Sequence, residues 1–261
     1  IAELCELCPP TRAVITGICP PHLESFKTLE NIVKAKGEIL NGGAEAVIAP
    51  ECFELFKAYS GVKHCADCVS DVVSDCNGSR FLLTLGGKTV PAETKLLGKH
   101  AVENIAISAL AAYNLGMSVE EIASAISKVE YIEHRLQLIK SGGVNILDDG
   151  YNSNVKGASA ALEVLRSFGG GKIVVTPGLV ELGVLEESEN ARLGARLVGL
   201  DRVILVGETL ITPVKEGYLE NGGDPEKFKI VPTLAAAQEE LKTVLKDGDT
   251  VLFLNDLPDI Y

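Results

Sequence analysis

From about residue 144 the chain follows a strict rhythm in which short β-branched runs alternate with amphipathic stretches. Strands are predicted at Val144–Asp148, Lys172–Thr176, Arg202–Val206, Phe228–Val231 and Thr250–Leu254. Helices are predicted near 156–167, 186–198, 211–221 and 234–245. Strands alternating with helices of this length make βαβ units and a parallel sheet with helices on both faces. The first 130 residues are less regular. Ala13–Gly17, after Pro9-Pro10, reads as a strand, and Leu29, Ile32, Val33, Ile39 and Leu40 recur at helical spacing over 28–40. Val47–Ala49 reads as a strand and 51–59 as a helix. Residues 79–97 alternate around Gly86-Gly87, the pattern of a β-hairpin. Two helices are predicted over 100–115 and 119–129, the second opened by a capping-box pattern, Ser118 with Glu121. The fold class is α/β, with the change of rhythm placing a domain boundary near 133, between parts 1–133 and 134–261.

Composition narrows the function classes. With 24 Lys+Arg against 36 Asp+Glu, the formal charge is 24 − 36 = −12. An acidic balance argues against nonspecific binding to nucleic acid or to anionic membranes, which needs basic patches. At 46% hydrophobic the 261 residues can bury a real core, and no apolar run approaches the ~20 residues of a membrane span. The start, Ile1-Ala2-Glu3-Leu4-Cys5-Glu6, shows neither a basic leader nor an initiator Met, so a trimmed piece of a longer cytoplasmic protein is expected.

All seven cysteines, at 5, 8, 19, 52, 65, 68 and 76, lie in the first third. An odd count without a secretory signal reads as reduced cytosolic thiols. The pairs Cys5/Cys8 and Cys65/Cys68 are separated by 56 residues, where a zinc ribbon usually leaves ~15–20. A zinc or redox protein built on these pairs therefore stands as a minor alternative. Two places mimic a phosphate-binding loop and fail. At Gly87-Lys88-Thr89 the first glycine position is Leu82, and at Gly171-Lys172 the next residue is Ile173.

Four segments carry chemistry-bearing residues. They are Thr16–Glu24 with His22, Ala35–Ile39 with Lys36, Gly98–Asn104 with His100, and Glu133–Leu136 together with Asp148–Asn154. Singly, each has an ordinary account: a surface His, a solvated Lys, polar helix positions, and a turn rich in Asp, Asn and Gly. In this order they resemble the Mur ligase family, the ATP-dependent enzymes that build the peptidoglycan stem peptide. The resemblance rests on His22-Leu23-Glu24, Ala35-Lys36-Gly37-Glu38, Gly98-Lys99-His100 with Asn104, His134-Arg135, Asp148-Asp149-Gly150-Tyr151-Asn152-Ser153-Asn154, and Glu181-Leu182-Gly183. Tyr151-Asn152-x-Asn154 is similar to the branch that adds D-Ala-D-Ala, where other branches carry Tyr-Ala-His or Gly-Ala-His.

The resemblance implies a partial, truncated central ATP-binding domain over 1–133 and a Rossmann-like C-terminal ligase domain over 134–261. It implies ATP and Mg²⁺ as cofactors, and UDP-MurNAc-peptide and D-Ala-D-Ala as partners joined through an acyl phosphate. By that resemblance Lys36, carbamylated, and His22 are catalytic and hold a Mg²⁺. His100 and Asn104 contact adenine, Arg135 and Asp149 reach phosphates and ribose, and Tyr151, Asn152 and Asn154 complete the nucleotide site. The family's UDP-sugar-binding domain and Gly-Lys-Thr loop have no counterpart here, Val155 replaces the usual Pro, and Ala101 replaces the usual Asn. The chain alone is therefore expected to be inactive, with self-association through an open sheet edge. A stand-alone, non-catalytic nucleotide-binding module is the alternative reading.

Overall fold

The computed structural model describes residues 1–18, 28–151 and 154–254. The chain divides into two compact units, Ile1–Glu130 and Tyr131–Tyr261.

In the first unit a short helix, α1 (Ala2–Leu7), precedes a three-stranded parallel sheet in the order β1 (Arg12–Ile15), β2 (Glu45–Ile48), β3 (Val62–His64). Helix α2 (Leu29–Gly37) lies between the first two strands and starts at Thr28, whose hydroxyl accepts the Asn31 N–H. The 51–59 helix is reduced to a 3₁₀ turn at Pro50–Cys52 and one α-turn at Phe53–Phe56. A second, antiparallel sheet holds β4 (Val69–Asp75), β5 (Gly78–Leu85) and β6 (Lys88–Thr94). The expected hairpin is present, turning at Gly86 and Gly87, both at positive φ, as a two-residue hairpin turn requires. Its third strand was not expected. The β4–β5 register shifts between Ser70 and Val73, where Asp71 takes φ 52°, and this break hides the strand's alternation. Along β5 the alternation is clean, with Phe81, Leu83 and Leu85 buried. Helix α3 (Lys99–Asn114) turns Val102, Ile105, Ala106 and Ala109 into this core. Helix α4 (Val119–Ile126) opens on the expected capping box: Ser118 N–H donates to Glu121 Oε2 at 2.9 Å, and Ser118 Oγ accepts the Glu121 N–H.

The second unit is a six-stranded sheet in the order β11 (Phe228–Val231), β10 (Arg202–Val206), β9 (Lys172–Thr176), β12 (Thr250–Leu254), β8 (Val144–Asp149), β7 (Gln137–Ser141). Five strands are parallel, and β7 is an antiparallel edge. The connecting helices are α5 (Val155–Ser167), α6 (Glu186–Leu197), α7 (Ile211–Glu220) and α8 (Leu234–Val244). Successive strand residues point to opposite faces, yet Ile173, Val174 and Val175 are all buried, as are Val203, Ile204 and Leu205. Both faces are thus covered, which is why these strands read as unbroken apolar runs. Ala237 and Leu241 of α8 close one face with Val175, Ile204 and Val251.

Helices α6 and α7 meet through two glycines. A Cβ on Gly194 would collide with the Val214 carbonyl oxygen, and one on Gly217 with the Ala191 carbonyl oxygen. In an open helix Gly→Ala gains about 1 kcal/mol. Here the helices must move apart, so Gly194→Ala is expected to destabilise the protein by about 1–3 kcal/mol in urea unfolding. A stabilised variant would show that the crossing is looser than the packing indicates.

Candidate functional site

The antiparallel pairing of β7 with β8 sets Gln137 opposite Asp148. That register folds residues 134–136 over the carboxyl end of β8, the end at which open α/β sheets take ligands. Three contacts hold this turn, and a fourth sets Asp148 in place. Leu136 N–H donates to Asp149 Oδ1 at 3.0 Å, and Tyr151 N–H donates to the His134 carbonyl at 3.1 Å. His134 Nδ1 lies 2.8 Å from Asp148 Oδ2, and Gly150 N–H donates to Asp148 Oδ1 at 3.1 Å. Between the two tied residues, the Arg135 guanidinium carbon lies 4.1 Å from the centre of the exposed Tyr151 ring. An exposed cation–π contact of this kind contributes about 0.5–1 kcal/mol.

The turn is strained. His134 and Leu136 take φ 60° and 47°, values that non-glycine residues seldom adopt. Such strain of ~1–3 kcal/mol per residue persists only where surrounding contacts impose it. Asp149 is the electrostatic centre. Burial pushes its carboxyl up to about 6 from the usual carboxylate range, and Asp148 adds to the rise, while the Leu136 N–H and the Arg135 guanidinium oppose it. Asn154 caps α5: its Oδ1 accepts the Gly157 N–H at 2.9 Å. The structure therefore gathers Arg135, Asp149 and Tyr151 at one strand end, with Asn154 at the start of the following helix. Asn152 lies outside the described residues.

The remaining expected residues belong to the first unit. Lys36 lies exposed in the last turn of α2, and its ammonium donates to the Gly17 carbonyl at 3.3 Å, just past the end of β1. The adjoining Gly37 is buried against Phe56 and Tyr59, where a side chain would press on both rings. His22 lies outside the described residues. His100 and Asn104 sit four residues apart, hence on one face of the first turns of α3. Gly98, at φ 83°, lets the chain enter that helix.

As a donor set, Lys36 fits a magnesium ion only as a carbamate, because an ammonium offers no lone pair and Mg²⁺ takes oxygen ligands. Among the described residues, no group of three or more His, Cys, Asp or Glu gathers into a metal site. Cys65 and Cys68 are both buried, and burial together with Cys68 pushes the Cys65 thiol up to about 11. Thiols held protonated are poor metal ligands and poor nucleophiles.

Two features escaped the sequence reading of roles, the His134–Asp148 pair and Asn190. His134 and Asp148 were visible as motif members, but their pairing depends on strand register. Asn190 is fully buried in α6, donates to the Leu179 and Glu186 carbonyls at 2.7 and 2.8 Å, and accepts the Leu179 N–H at 2.8 Å. It fixes the loop after β9. The available signal was a polar residue in line with Leu193 and Leu197 on the buried stripe of α6.

The chain belongs to the Mur ligase family. Residues 2–112 match the Mur ligase middle domain and residues 134–255 the Mur ligase glutamate ligase domain. It is 26% identical over 267 residues to the UDP-N-acetylmuramoyl-tripeptide–D-alanyl-D-alanine ligase of Escherichia coli K12, covering 95% of this chain and 59% of that protein. It is 30% identical over 265 residues to the Bacillus subtilis 168 protein of the same name, covering 96% of this chain and 57% of that one. The crystal structure of the MurF ligase from Thermotoga maritima in complex with ADP superposes with a TM-score of 0.85 at 24% identity, covering 98% of this chain and 60% of that chain. The chain thus spans a little under three fifths of the length of these two relatives. The structural likeness establishes the shared α/β fold, and among the described residues no helix is long and apolar enough to cross a membrane.

The Asp149 carboxyl carries a pH signature. Its folded pKa, about 6, lies above the ordinary 3.8. Its contribution to stability is therefore fully present below about pH 4 and is lost as pH rises through 6. Carboxyl-detected NMR is expected to show Asp149 titrating near 6, and Arg135→Ala is expected to move it higher. A midpoint near 4 in the folded protein would contradict the burial.

Proposed function

We propose that this chain supplies the ATP-binding and C-terminal ligase portions, taken as 1–133 and 134–261, of a cytoplasmic enzyme of peptidoglycan precursor synthesis. The reaction joins UDP-MurNAc-tripeptide to D-Ala-D-Ala. The peptide's terminal carboxylate attacks the γ-phosphorus of ATP, giving an acyl phosphate and ADP. The dipeptide amine then attacks the acyl carbon, phosphate leaves, the nitrogen loses a proton and an amide forms.

The observation that carries the reading is Arg135 stacked on Tyr151 beside the half-buried Asp149, at the carboxyl end of β8. A guanidinium presents a planar fork of donors to phosphate oxygens. A carboxylate at its side accepts from a ribose hydroxyl, and an exposed ring gives a stacking surface. His100 and Asn104 offer polar groups from one helix face for an adenine edge. Asn152 and Asn154 complete the nucleotide set. Lys36 as a carbamate and His22 would hold Mg²⁺, which when bound neutralises charge on the phosphate oxygens. The relatives support the acceptor assignment by their names and by 26–30% identity. Self-association through β1 is proposed as well, since among the described residues β1 pairs with β2 alone. Light scattering that finds only monomer at high concentration would remove that proposal.

The test uses the complete enzyme that contains these residues. With ATP, UDP-MurNAc-tripeptide and D-Ala-D-Ala, mass spectrometry is expected to find the pentapeptide product and equimolar ADP. Arg135→Ala is expected to lower kcat/KM for ATP by about 10²-fold, near the loss of one charge-assisted contact of about 2–3 kcal/mol. Lys36→Ala is expected to abolish turnover, with partial recovery in added short carboxylates. Full activity of Lys36→Ala would exclude the carbamate, and absence of ATP-dependent product would exclude the ligase.

A further inference from the structure

We infer that His134 and Asp148 form a positioning pair: their contact holds the 134–136 turn on the carboxyl end of β8 and so fixes the Arg135 guanidinium over Tyr151. In assigning a purpose to that placement, the inference rests on the nucleotide reading above. The geometry is independent of it.

Asp148 is set before the imidazole meets it. Its Oδ1 accepts the Gly150 N–H at 3.1 Å, and its side chain is only 20% exposed, leaving Oδ2 to face His134 at 2.8 Å. The His134 side chain is 59% exposed, so it contributes little to the core. Its contact with Asp148 is a side-chain tie that precedes Arg135, whereas the ties at Leu136 N–H and the His134 carbonyl are backbone ties. Backbone ties bracket Arg135 without choosing the direction in which a two-residue excursion at φ 60° and 47° faces. The imidazole, anchored on the strand end, makes that choice. Arg135 is long and rotamer-rich, and holding it in one place before a ligand arrives lowers the ordering cost of binding. His134 and Asp148 are positioning residues that act through Arg135.

The test is NMR on the full chain with labelled arginine. A δ-methylene lying over a tyrosine face carries an upfield ring-current shift. His134→Gly removes the imidazole and keeps the left-handed backbone accessible. His134→Asn keeps a polar nitrogen near the place of Nδ1 and also tolerates positive φ. Asp148→Ala removes the partner from the other side. The expected result is loss of the Arg135 shift in His134→Gly and in Asp148→Ala, its retention in His134→Asn, and far-UV spectra unchanged in all three. An Arg135 shift that survives His134→Gly, or that His134→Asn fails to restore, overturns the inference. If one variant does not fold, the other two still decide by the same shift. A parallel calorimetric titration with ADP is expected to show roughly three- to tenfold weaker binding for His134→Gly, with His134→Asn at the wild-type value. Wild-type protein that binds no ADP would sink the nucleotide reading while the ring-current result still judges the pair.

Discussion

A carboxylate half-buried at the end of a central strand has to find a donor, and the fold is arranged so that Asp149 finds the Leu136 N–H. The rest of the arrangement at that strand end follows from that need. Leu136 reaches Asp149 only if β7 returns antiparallel beside β8, and the preceding residues must then turn sharply over the strand end. The turn forces His134 and Leu136 into left-handed backbone, and the strain is held by contacts to Asp148, Asp149 and Tyr151. Arg135, between the strained residues, is lifted onto the Tyr151 ring. One desolvated acid thus organises a cation and an aromatic face at one strand end.

Such a cluster is only as well placed as the base beneath it. Here the base is a sheet buried on both faces, with helices α6 and α7 seated glycine against backbone. The loop after β9 is held in a comparable way, since Asn190 satisfies the Leu179 N–H and carbonyl from inside the core. A buried amide with every group paired fixes one loop conformation where an aliphatic side chain would leave backbone groups unmet. The loops at the carboxyl ends of β8 and β9 are therefore both set by buried polar groups rather than by apolar contact alone.

The sequence disclosed what burial makes obvious. Lys172–Thr176, Arg202–Val206 and Thr250–Leu254 were legible to the residue because a strand covered on both faces needs an apolar side chain at nearly every position. Three other strands were not. Val69–Asp75 carries a register break, Val62–His64 is three residues long, and Gln137–Ser141 is a mostly polar edge. Arg135, Asp149 and Tyr151 could be marked from their motifs, but their meeting depends on β7, the strand that was not legible. The His134–Asp148 pair spans fourteen positions and depends on that same register. Lys36, His100 and Asn104 were legible as residue types on helices, and the structure places them there, on the first unit.

Charge raises one further question, because the chain carries −12 and the proposed ligands, ATP and a UDP-linked peptide, are anions. Repulsion by the whole molecule would slow their approach if it reached them. At physiological salt the Debye length is about 8 Å, so carboxylates scattered over the surface are largely screened from a ligand at the strand end. What a phosphate meets there is set by the nearest groups. Arg135 is one, and its effect is reinforced because burial shifts the neighbouring Asp149 toward neutrality as pH falls to 6. The acidic surface and the proposed nucleotide site are therefore compatible, provided that recognition is short-range and made by a cation held in place beforehand. Holding Arg135 on Tyr151 before a ligand arrives is what short-range recognition asks of so acidic a chain.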